Sequence, residues 1–168
     1  MENIKRYSQY KFKFYLNAGH SIFLGGTFGE RHPHTWEISI QILKMREDFI
    51  AFNYLEKEIE AFLEKYQDKN LNDVVPFNTI NPTLENICTY FKDKFRELLN
   101  REGWLLMLIE IGETPTRSYV INLFNEESDT SVDDSDLQQM EYLDYKKQDE
   151  QKADEIAERI IGNIIKNK

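Results

Sequence analysis

The chain has 168 residues, 40% of them hydrophobic, with eleven Phe, nine Tyr and two Trp, enough to build one apolar core. Its formal charge is −9; residues 125–168 hold 13 Asp and Glu against 6 Lys and Arg, so −7 lies there and −2 on residues 1–124. Neither part has a basic stripe, which excludes nucleic acid as the main partner, and no window is apolar and long enough to span a membrane.

The N-terminal MENIKRYSQYKFKF lacks the apolar core of a signal peptide, and the single cysteine, Cys88, excludes an intramolecular disulfide. A cytoplasmic protein is expected. From Phe12 to His20 the residues alternate, with Phe12, Phe14, Leu16, Ala18 and His20 on one face of a predicted strand. A Gly-rich connection, LGGTFGER, follows. A second strand then carries His34, Trp36, Ile38, Ile40 and Ile42 on one face, and His32 shares their parity.

Leu55, Ile59, Phe62, Leu63 and Tyr66 recur at helical spacing. A second helix is predicted from NPTLENICTYFKDKFRELL, capped by Asn81 or Thr83, with Pro82 in its first turn. Leu84, Ile87, Cys88, Phe91, Phe95 and Leu98 form its buried stripe. WLLMLIEIGET and SYVINLF read as a second strand pair joined around Glu113-Thr114-Pro115-Thr116. The element order is ββααββ, an α+β domain with an antiparallel four-stranded sheet and two helices on one face. Residues 125–147 are an acidic linker by composition, and residues 148–168 form an amphipathic C-terminal helix with Ile156, Ile160, Ile161, Ile164 and Ile165 on one side.

All three histidines thus fall on apolar faces of two neighbouring strands. His32-x-His34 projects two rings from one face, and His20 from the adjacent strand supplies a third. Three imidazoles with an open fourth position are a catalytic zinc pattern. The plainer reading is that these are ordinary strand-end residues.

NAGH, RHPHTW, NLND, NPTLEN and IGETPT stand in the order and approximate spacing found in the 6-pyruvoyl-tetrahydropterin synthase and 6-carboxy-tetrahydropterin synthase family. The chain resembles that family over most of residues 10–124. The resemblance implies the tunnelling fold for residues 1–124 and a homo-oligomer, trimer or hexamer, in which sheets close into a barrel. It implies zinc on His20, His32 and His34, and a small-molecule dihydropterin as ligand. Glu113 resembles the carboxylate that anchors the pterin ring, as a carboxylate suits two parallel N–H donors. Thr83 resembles the threonine that helps hold the same ring. Read singly, Glu113 would be a solvated turn residue and Thr83 a helix cap.

Three departures bear on activity. Phe28 stands where family enzymes bring a cysteine, and Gln67-Asp68 replaces their Asp-His pair. Those residues normally move the proton in the family reaction. Glu30, two residues before His32, and Asp68 are the carboxylates available as substitute bases. The reading that follows is a zinc-dependent protein that binds a dihydropterin of the dihydroneopterin triphosphate type; if it is an enzyme, it is a lyase removing triphosphate from that side chain. The alternative is a non-catalytic scaffold or sensor that keeps the metal and the ring site, and a third is a site for another planar heterocycle.

Overall fold

The computed structural model describes residues 8–45, 51–123 and 152–153. The expected acidic linker, 125–147, lies outside the described residues, as does the expected helix over 148–168 apart from residues 152 and 153. Strand β1 (Tyr10–His20) buries Phe14, Leu16, Ala18 and His20 and turns Lys13, Tyr15 and Asn17 outward, the alternation its sequence predicts. After it come two short strands, β2 (Phe23–Leu24) and β3 (Thr27–Phe28), which pair as a hairpin of their own. Gly25 and Gly26 hold its turn at φ +60° and +83°, the combination a two-residue hairpin turn demands.

Strand β4 (His32–Lys44) runs antiparallel to β1 along its whole length, from Tyr10 opposite Ile42 to His20 opposite His32. Helix α1 (Phe52–Leu63), strand β5 (Lys69–Asn70) and helix α2 (Leu84–Arg101) follow. Strands β6 (Trp104–Thr114) and β7 (Arg117–Asn122) complete the sheet, whose order is β5-β1-β4-β6-β7. The four expected antiparallel strands are therefore present, and a fifth joins them: β5 lies parallel to β1 at Ala18 and Gly19. Two residues are too few to show an alternation, so neither β5 nor the β2–β3 hairpin is legible as a strand.

Both helices bury their apolar stripes in one core with the inward face of the sheet. Two details of α2 differ from expectation. Leu99 is fully buried while Leu98 is only partly so, because the stripe advances by four residues rather than three after Phe95. Pro82 precedes the helix; Thr83 is the cap, its hydroxyl accepting from the Asn86 N–H at 3.3 Å. Tyr66 is buried as expected, but beyond the end of α1, in the turn that follows it. The core is densely aromatic: Phe91 is fully buried, with ring centroids of Phe62, Tyr66 and Phe95 at 5.3, 5.5 and 5.9 Å.

Candidate metal centre

The β1–β4 ladder decides where the histidines go. His20 pairs directly with His32, and His34 stands opposite Ala18, so three rings gather on the helix-side face at one end of the sheet. Ring centroids are 4.9 Å apart for His20 and His32, 5.1 Å for His20 and His34, and 4.7 Å for His32 and His34. Trp36 forms the floor, its ring edge-on to His20 at 4.9 Å and to His34 at 5.3 Å. Its indole N–H donates to the Ala18 carbonyl at 3.1 Å, which leaves no polar atom of the floor unpaired.

Backbone carbonyls fix two tautomers. His20 donates from Nδ1 to the Pro82 carbonyl at 2.7 Å, and His32 from Nδ1 to the Glu30 carbonyl at 2.8 Å. A carbonyl only accepts, so each Nδ1 carries a proton and Nε2 is the ring nitrogen left to face the cluster. Burial holds the imidazoles of His20 and His34 below their ordinary titration range, which favours the uncharged, metal-competent form.

Glu113 enters the same cluster from β6. Its Oε1 lies 3.0 Å from His34 Nε2, 3.4 Å from His20 Nε2 and 4.0 Å from His32 Nε2. Nε2 of both His20 and His34 is buried without a hydrogen-bond partner. The donor atoms of the three histidines and Glu113 all lie within 4.8 Å of one another. For the neutral His20 ring, an Nε2 lone pair facing a carboxylate is an unfavourable pairing that a cation between them relieves. The donor set is therefore one that fits a divalent ion, and nitrogen with carboxylate oxygen suits zinc.

Glu113 lies near the end of strand β6 and is buried, so it is not the solvated turn residue that it would be if read singly. Its inward direction was legible: it shares parity with the buried Ile109 and Ile111. Thr83 sits at the α2 cap, next to the Pro82 carbonyl that orients His20. Glu30 contributes its backbone to His32, and its side chain is exposed. Asp68 is exposed too, at φ 57°; its N–H donates to the Asn17 carbonyl at 2.7 Å and its carboxylate accepts from Gln67 at 3.2 Å. It borders a cleft that Pro33, His34 and Thr35 also line. Phe28 packs on Phe23 across the hairpin, with ring centroids 5.2 Å apart. Burial pushes the Cys88 thiol up to about 12, so it stays protonated and inert at neutral pH.

The asparagines of NLND and NPTLEN act through backbone contacts that their spacing in the sequence does not reveal. Asn72 accepts from the Ser21 N–H and donates to the Ser21 carbonyl, both at 2.8 Å. Asn81 grips Phe23 in the same two-way fashion, at 3.0 and 2.9 Å, and Asn86 donates to the Asn81 carbonyl at 2.9 Å. The NLND and NPTLEN motifs thus clamp the chain just after His20, replacing the strand partner it no longer has. On the other side, a cleft of about 630 Å³ opens beside His34 and Glu113, bordered by Tyr15, Glu110, Thr116 and Arg117. That is room for a small heterocyclic ligand.

The sequence profile described as 6-pyruvoyl tetrahydropterin synthase matches residues 9–123. Among solved structures, the chain is similar to Caenorhabditis elegans 6-pyruvoyl tetrahydropterin synthase, with 19% identity, 71% of this chain and 99% of that chain covered, and a TM-score of 0.57. It is similar to Plasmodium vivax 6-pyruvoyltetrahydropterin synthase in a form with a catalytic glutamate replaced by alanine, at 12% identity, 70% and 98% coverage and a TM-score of 0.55. The Plasmodium falciparum protein of the same name gives 16%, 68%, 97% and 0.51. At these identities the likeness shows the fold. A curated relative, solute carrier family 28 member 3 of Rattus norvegicus, is 31% identical over 111 residues, or 52% of this chain, and the chain spans only 15% of its length. No helix among the described residues is long and apolar enough to cross a membrane.

Proposed function

The chain belongs to the 6-pyruvoyl tetrahydropterin synthase family, and from that premise we propose a zinc-dependent, dihydropterin-binding protein with the ion on His20, His32 and His34. One observation carries the reading: the Nε2 atoms of His20 and His34 are buried without a hydrogen-bond partner and lie beside a carboxylate. A zinc ion bound there would lower the pKa of hydroxyls on the ligand's side chain. Glu113 and Thr83 are the residues we assign to the ring, and the cleft beside Glu113 supports that assignment. Acting on dihydroneopterin triphosphate, the protein would be a lyase that releases triphosphate, with Glu30 taking the proton and Asp68 as the second candidate. A glutamate is a catalytic residue in the Plasmodium vivax relative, which makes a carboxylate base credible here. Cytoplasmic location and assembly as a trimer or hexamer complete the proposal.

A second reading, a non-catalytic metal- and pterin-binding relative, is favoured by a specific observation. Phe28 packs on Phe23 and Gln67 ties to Asn17 by accepting from its N–H at 3.2 Å, so these positions are given over to structure. Incubating the metal-loaded protein with dihydroneopterin triphosphate separates the two. Slow triphosphate release is expected, about 10²–10⁴-fold below a family member with its full base, because a positioned base contributes that much. Glu30→Gln should abolish it and Asp68→Asn should matter less. Turnover at an ordinary rate, indifferent to Glu30→Gln, contradicts the assignment of the base. Binding without turnover establishes the second reading.

A further inference from the structure

A residue that only anchors a ring has no need to sit among the histidines, yet Glu113 does. Its side chain is 7% exposed, and it stands where the β6–β7 register slips between Gly112 and Thr114. Such a bulge re-aims a side chain at a strand end. The two carboxylate oxygens have separate partners. Oε1 converges on the three Nε2 atoms, and Oε2 lies 3.1 Å from a guanidinium nitrogen of Arg117, whose side chain is 65% exposed.

The spacing can be tested against a metal sphere. Metal–ligand bonds of about 2.0–2.1 Å set the four corners of a tetrahedron about 3.3 Å apart. The separations of Oε1 from the histidine nitrogens, 3.0, 3.4 and 4.0 Å, bracket that value. We propose that Glu113 is the fourth ligand of the metal centre in the ligand-free protein, binding through Oε1. Arg117 is a positioning residue that holds the carboxylate in this one-oxygen mode by occupying Oε2. The inference rests on the metal-centre reading above and changes its starting state. The three-histidine pattern leaves a fourth position for water; here Glu113 closes it. A pterin ring whose two N–H donors draw Glu113 away would vacate that position for its own side-chain oxygens, so ring binding and opening of the sphere become one event.

The test uses the full chain loaded with Co²⁺ in place of zinc, read by visible absorption, with azide as the probe of an exchangeable position. The parent should give a four-coordinate spectrum that azide leaves unchanged. Glu113→Gln should bind Co²⁺ and Zn²⁺ about 100-fold more weakly and become azide-sensitive; Arg117→Gln should lose about 10-fold, within the range for an outer partner of a ligand, and Arg117→Lys should recover most of it. An azide-sensitive parent overturns the proposal, because water then holds the fourth position, and this result stands even if Glu113→Gln does not fold. Parent-like affinity and spectrum in Glu113→Gln overturn it as well, and parent-like affinity in Arg117→Gln overturns the positioning role. A parent that binds no Co²⁺ removes this inference together with the reading beneath it, whereas one that binds Co²⁺ and responds to azide removes this inference alone.

Discussion

Along the inward face of β1 and β4, Phe14, Leu16, Trp36, Ile38 and Ile40 pack under the helices, and a few residues further on the same face presents His20, His34 and His32. The middle of this ladder is apolar and closely packed, with every large side chain among aromatic or aliphatic neighbours. The end brings together three imidazoles and a carboxylate, with two buried nitrogens left unpaired. One alternation therefore serves two purposes, and the change of residue type at Ala18 and Trp36 separates them. The core stabilises the fold through burial; the histidine end costs stability until a cation neutralises it.

The sharpest way to break this comparison is to mutate both regions in metal-free protein. Phe91→Ala, at the fully buried centre of the aromatic layer, should lose about 3–5 kcal/mol in urea unfolding. His34→Ala should lose no more than about 1 kcal/mol, the average for a point substitution, because it also removes a buried nitrogen without a hydrogen-bond partner. Equal losses would mean that the histidine end is an ordinary part of the core.

Asn72 joins the two regions. Asn72→Ala leaves the Ser21 N–H and carbonyl without their side-chain partner, and a cost of about 1–3 kcal/mol is expected by the same unfolding measurement. Metal affinity should fall with it, since Ser21 follows His20, the proposed ligand. Unchanged affinity would show that β1 alone positions that ring.

Thr83 carries a smaller effect. Thr83→Ala should cost about 1 kcal/mol through the lost cap, and Thr83→Ser should restore it. If Thr83 also holds a ring, Thr83→Ala weakens dihydropterin binding beyond its effect on stability; a loss confined to stability leaves it a cap only.

The smallest expected effect is at Cys88. Its folded value is raised by burial to about 12, so its stability contribution is intact below the unfolded thiol's range of about 8.5 and fades as pH rises through and above it. At pH 8 native protein should resist thiol-labelling reagents and label fully in denaturant. Rapid native labelling would contradict the burial of this position.

What was legible follows from these forces. Strict alternation exposed β1, β4 and the common face of His20, His32 and His34, because one side of the sheet is buried and the other is wet. Helical stripes were legible for the same reason, down to Cys88. The two-residue strands were not, since pairing of Lys69–Asn70 and Phe23–Leu24 is decided by what the chain folds against. Nor were the tautomers: Pro82 and Glu30 act through backbone carbonyls, which every residue has. Glu113 was half legible: the GET motif singled it out at the end of a predicted strand, but its place among the histidines depends on how β6 pairs with β4, which one strand's sequence does not show.

Metal binding itself tests the central claim most directly. Purified protein, stripped and titrated with zinc, should take up one ion per chain, and a saturating excess of about 100 times Kd should stabilise it by about 2.7 kcal/mol. The chain with His20, His32 and His34 all changed to Ala should show neither uptake nor stabilisation. Full occupancy in that triple variant, or no uptake by the parent, would contradict the account.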